Sequence, residues 1–178
     1  DLTQYAPTDL QALLNGDRRA LARILTALEN NALDQNLHQQ ILDRMESIDA
    51  VPVLGITGTG GAGKSSLTDE LIRRFRLDQE DQLNIAIIAI DPSRRKSGGA
   101  LLGDRIRMNA INGDKIYMRS LATRSAGAEV PQNLTDIIAA CKIAGFDLIV
   151  VETSGIGQGD AGICLLYTSD AADELLGV

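Results

Sequence analysis

The chain has one histidine, His38, and two cysteines, Cys141 and Cys164, among 178 residues. So few thiols and imidazoles supply neither a disulfide framework nor a Cys/His zinc site, and a lone histidine argues against a His-based catalytic triad. His38 lies in a polar helical stretch, residues 36–40, and is expected to be a solvated surface side chain. No apolar run approaches the roughly 20 residues that a membrane span requires. The acidic start, with Asp1 and Asp9, lacks the basic beginning and apolar centre of a signal peptide. Basic residues are also in deficit: 17 Lys+Arg stand against 24 Asp+Glu, a net charge of −7. Such a balance argues against coating nucleic acid or anionic membrane by bulk charge. What remains is a globular composition, 44% hydrophobic, long enough for one domain with a small appendage. A cytoplasmic protein with no nucleic-acid partner and no membrane partner is the expectation.

Between residues 10 and 45, apolar side chains recur at three- and four-residue intervals: Leu10, Leu13, Leu14, Leu21, Ile24, Leu25, Leu28, Leu37, Ile41, Leu42 and Met45. This is helical spacing. Asn15-Gly16-Asp17 interrupts it, Asp17 can cap the next helix, and Asn30-Asn31 begins another loop, so two or three short helices ending near Ile48 are expected. Pro52 marks a boundary, after which apolar runs alternate with helical segments. Strands are read at 51–57, 83–90, 116–119 and 148–151, with helices at 64–76 and about 132–144. Short continuous apolar runs are strands buried on both faces, and their alternation with helices implies a mostly parallel sheet with right-handed crossovers. The fold class is therefore α/β, with an N-terminal helical segment at 1–50 and the sheet domain from 51 to 161.

The strongest chemical signal is Gly58-Thr59-Gly60-Gly61-Ala62-Gly63-Lys64-Ser65, which satisfies G-x-x-x-x-G-K-[ST] between an expected strand and an expected helix. This is the phosphate-binding P-loop. Its glycines let backbone N–H groups face a β-phosphate, and the helix start adds positive potential. Lys64 bridges the β- and γ-phosphates, and the Ser65 hydroxyl ligates Mg2+. Gly58, Gly60 and Gly63 also fit G-x-G-x-x-G, with Asp91 as a ribose-binding acid, but a dinucleotide site has no use for Lys64-Ser65 at the helix start. The cradle read from the sequence comprises Gly58, Gly60, Gly61, Ala62, Gly63, Lys64, Ser65 and Ser66.

Two carboxylates end expected strands. Glu152 follows Leu148-Ile149-Val150-Val151 and precedes Thr153-Ser154-Gly155, which puts an acid at the sheet's carboxyl edge with Mg2+-linked water as its natural partner. The Gly155 N–H can approach a γ-phosphate, which makes 152–155 a candidate switch. Asp91 is the second edge carboxylate, and capping of the Pro92-Ser93 turn is its alternative role. Residues 93–124 hold eight bases and only the acids Asp104 and Asp114. That stretch is either a solvated basic face or a contact for nucleotide phosphates or an anionic partner, with Asp104 as an acid approaching Mg2+ or water.

Four segments carry a family resemblance: VLGITGTGGAGKSSL at 53–67, IDPSRRKSGGALLGDRIRM at 90–108, YMRSLATR at 117–124 and FDLIVVETSGIGQGD at 146–160. They resemble the GTPase chaperones of adenosylcobalamin-dependent acyl-CoA mutases, most of all the GTPase domain of the fused isobutyryl-CoA mutases. In those proteins the chaperone lies between cobalamin-binding and mutase parts of one polypeptide. The likeness spans about residues 10–161. In this family the usual D-x-x-G becomes E-x-x-G, which Glu152 to Gly155 match, followed by Gln158. The resemblance implies a P-loop NTPase fold and GTP hydrolysis that gates adenosylcobalamin loading and protects the mutase. It further implies that Lys64, Asp104 and Glu152 serve catalysis, that Ser65, Asp91, Asp104 and Glu152 surround Mg2+, and that the parent is a homodimer. The family's N-K-x-D base-reading motif is absent, so the residues alone indicate a nucleoside triphosphate hydrolase without fixing the base. A free-standing chaperone, a transport-associated ATPase and a non-hydrolysing nucleotide-binding module stay open.

The likeness stops near Asp160-Ala161. CLLYTSDAADE at 164–174 is similar to a translated transposase-type sequencing adapter, so 162–178 is expected to be a non-native tail on a truncated fragment. No function is assigned to Cys164, Tyr167, Asp170 or Asp173.

Overall fold

The computed structural model describes residues 9–48, 50–57, 64–91, 114–122 and 133–153. These fall into two compact units.

The first unit holds α1 (Leu10–Leu14), α2 (Arg18–Glu29), α3 (Gln35–Met45) and a later helix, Leu134–Ile143, here α5. Aspartates start the first three helices. Asp9 accepts from the Ala12 amide at 2.7 Å, Asp17 from Arg19 and Ala20 at 2.7 and 3.1 Å, and Asp34 from Asn36 and Leu37 at 3.0 Å each. Each satisfies amides that a helix start leaves without partners. The Ala20 amide first, then that of Arg19, holds the Asp17 carboxyl below its ordinary range, so this cap weakens as pH falls and the carboxylate protonates. Gly16, at φ +72°, makes the left-handed turn between α1 and α2 that a β-carbon would strain. The apolar spacing read from the sequence becomes a core of Leu13, Leu21, Ile24, Leu25, Leu28 and Ile41.

The helix expected at 132–144 appears as α5 and packs on α2 and α3. The Asn133 side-chain amide donates to the Leu28 carbonyl oxygen, and His38 Nε2 lies 3.0 Å from Asp136 Oδ2. His38 is thus a half-buried partner of α5 rather than a freely solvated side chain. Periodicity could not reveal this, since Asp136 is 98 residues away.

Cys141 is fully buried on α5, and burial pushes its thiol from its ordinary 9.0 up to about 12, although the Arg18 charge opposes the shift. An unfolded chain releases this proton first as pH rises. Stability should therefore decline above about pH 9, with a slope approaching about 1.4 kcal/mol per pH unit from this group. Denaturant unfolding of wild type and Cys141→Ala across that range checks the sign. A slope no steeper in wild type would contradict it.

The second unit is a four-stranded parallel sheet with α4 (Lys64–Asp78). Its strands are β1 (Val53–Ile56), β2 (Ile85–Asp91), β3 (Ile116–Ala122) and β4 (Leu148–Thr153), in the order β1-β4-β2-β3. The chain leaves β1 through α4 and enters β2 two places away, and β4 fills the gap. Side chains alternate between the faces. One face sets Ile56, Ile85, Ile87, Leu148 and Val150 against Ile72 of α4, with Leu71 and Phe75 beside them. Ala86, Ile88, Ile149 and Val151 point to the other face and are also buried. Among the described residues no helix is long and apolar enough to cross a membrane.

Candidate functional site

In parallel α/β sheets ligands bind beyond the carboxyl ends of the strands, at the point where the strand order reverses. Here β1 and β4 are neighbours in the sheet and end in register at that edge. β1 ends at Ile56, and α4 begins at Lys64, so residues 58–63 span a strand end and a helix start, as a phosphate loop must. Ile56 is paired in register with Glu152, and Glu152 is paired on its other side with Ala89 of β2. The acid read from the sequence thus stands on the strand adjoining the one that leads into the P-loop.

Glu152 is 9% exposed and shares the α4-facing side of β4 with Leu148 and Val150. A buried carboxylate must be compensated by hydrogen bonds or charge. The Thr68 hydroxyl, itself fully buried on α4, donates to Glu152 Oε2 at 3.2 Å. Thr68 was not among the residues singled out from the sequence. The available signal was its place one helical turn beyond the P-loop lysine, on the face that continues to buried Ile72.

Asp91 closes β2 in register with Ala122 of β3, at the same carboxyl edge. Lys64 and Ser65 open α4, and Ser66 beside them is exposed. The side chains of Lys64, Ser65 and Asp91 lie outside the described residues, as do Gly58, Gly60, Gly61, Ala62, Gly63, Asp104 and Gly155. So do most of the basic stretch and the whole of 162–178. Among the described residues no group of three or more His, Cys, Asp or Glu could hold a metal ion. A buried carboxylate oxygen at the strand end does suit a hard divalent cation, which takes oxygen ligands.

Residues 21–172 match the family described as methylmalonyl Co-A mutase-associated GTPase MeaB. A fused isobutyryl-CoA mutase of Cupriavidus metallidurans is 71% identical over 163 residues, which is 92% of this chain and 15% of that protein. The GTPase ArgK of Escherichia coli is 32% identical over 183 residues, with 95% of this chain and 53% of that protein covered. A crystal structure of an LAO/AO transport system kinase superposes with a TM-score of 0.61 at 28% identity, covering 89% of this chain and 46% of that one. The chain therefore spans about 15% of the fused mutase and about half of the stand-alone relatives. A P-loop strand and helix, an acid in register beside them and a match across most of the sequence lead to one assignment: the chain belongs to the MeaB family of methylmalonyl-CoA mutase-associated GTPases.

Proposed function

We infer that this segment is the GTP-binding and GTP-hydrolysing chaperone domain of a cytoplasmic, homodimeric fused isobutyryl-CoA mutase, where it gates adenosylcobalamin loading and protects the mutase. The observation that carries this reading is the register of Glu152 with Ile56, in a chain 71% identical to such a protein over 163 residues. In it, the backbone of Gly58, Gly60, Gly61, Ala62 and Gly63 cradles the phosphates together with Ser66, and Lys64 bridges the β- and γ-phosphates. Ser65, Asp91, Asp104 and Glu152 hold Mg2+, which when bound neutralises charge on those phosphates. Asp104 orients the attacking water, and the Gly155 N–H meets the γ-phosphate. The cobalamin-binding and acyl-CoA mutase domains are the partners, and adenosylcobalamin is not bound by this segment alone. Residues 162–178, an adapter-derived tail in this reading, take no part.

The test is adenosylcobalamin transfer to the mutase in the intact polypeptide, timed with GTP, with GDP and with a non-hydrolysable GTP analogue. Transfer is expected to depend on which nucleotide is bound. Equal rates in all three would overturn the gating role. The likeness to an LAO/AO transport system kinase favours a second reading, a transport-associated ATPase; efficient turnover of ATP in place of GTP would support it.

A further inference from the structure

We propose that Thr68 is a positioning residue for the nucleotide reaction, its hydroxyl holding the Glu152 carboxylate in the orientation that the phosphate and Mg2+ site uses. The inference rests on the functional reading above. Inside a helix a threonine hydroxyl commonly turns back to the carbonyl one turn earlier. Thr68 instead commits its single proton to Glu152 Oε2 at 3.2 Å, across 84 residues of sequence. Thr68 is fully buried, and Glu152 nearly so. Valine would fill the same space one turn before Ile72 without burying a polar group, so the carboxylate is what makes a hydroxyl favourable here.

Ile56 and Ala89, paired with Glu152 on either side, carry no side-chain donor. The α4 side therefore supplies a hydroxyl where these two register partners supply only hydrocarbon. A glutamate has three side-chain torsions, and a hydrogen bond to a charged oxygen is among the stronger restraints on them. The helix that opens with the P-loop lysine and the strand that ends in the acid are thus joined by a buried hydrogen bond, which restrains the acid relative to α4.

The test uses the intact polypeptide with Thr68→Val, which removes the hydroxyl at constant shape, and Thr68→Ser, which keeps it. Binding of a fluorescent GTP analogue is titrated with Mg2+ and with EDTA, and kcat and KM are measured separately. For Thr68→Val, the gain in affinity conferred by Mg2+ should shrink and kcat should fall about 10- to 100-fold, the range of one hydrogen bond to a charged group. Affinity in EDTA should hold, KM measured with Mg2+ should rise in step with the lost Mg2+-dependent affinity, and Thr68→Ser should restore both losses. Equal weakening with and without Mg2+, no loss at all, or failure of serine to rescue would overturn the inference.

Should Thr68→Val fail to fold, Thr68→Ala added to Glu152→Gln decides. No further loss of turnover beyond Glu152→Gln supports action through the acid, and an additive loss overturns it. A wild type that binds no GTP overturns the functional reading and this inference together. A wild type that hydrolyses GTP, beside an unimpaired Thr68→Val, overturns this inference alone.

Discussion

Lys64→Ala is expected to abolish measurable GTP hydrolysis in the intact polypeptide, with turnover reduced about 10²- to 10³-fold or more, the scale seen when one preorganised donor leaves a charged transition state. Lys64 opens α4 directly after the P-loop glycines. In the proposed site the triphosphate gathers charge that backbone amides and a helix start offset only in part, and the Lys64 ammonium would supply a full positive charge where the β- and γ-phosphates meet. Affinity for GTP should fall as well, by about 10- to 100-fold, because a hydrogen bond to a charged group is lost. Phosphate release and direct titration on the same preparation measure the two effects. Unchanged turnover would remove the P-loop assignment.

Glu152→Gln should separate those quantities. The amide keeps the shape of the carboxylate and its carbonyl can still accept from Thr68, so packing against α4 survives while a negative charge is removed. If Glu152 serves the metal and the switch, turnover should fall about 10- to 100-fold while affinity for GTP in EDTA changes little. Equal loss of both, or loss of neither, would count against that role.

Much of the fold was legible because local chemistry and global packing agree. The Asp17 cap, the breaks at Asn15-Gly16 and Asn30-Asn31 and the apolar spacing from Leu10 to Met45 all reappear in α1 to α3. Strand ends were less clear. β3 runs to Ala122 rather than ending at Arg119, because a strand at the sheet's edge among the described residues continues through Ser120, where a search for apolar runs stops. β2 begins at Ile85 rather than Leu83, since the Asn84 amide turns to the Asp147 carboxylate at 2.7 Å. The P-loop and Glu152 were readable because motif and strand end coincide. Thr68 was not, since its partner lies 84 residues away in the sequence, and His38 escaped for the same reason, its partner lying 98 residues away.

The most direct test is competition for a fluorescent GTP analogue bound to the intact polypeptide with Mg2+, with phosphate release followed in parallel. Unlabelled GTP should displace the probe and be hydrolysed, while ATP at the same concentration should do neither, and Lys64→Ala should bind the probe weakly. A protein that binds neither nucleotide, or that prefers ATP, would contradict the account.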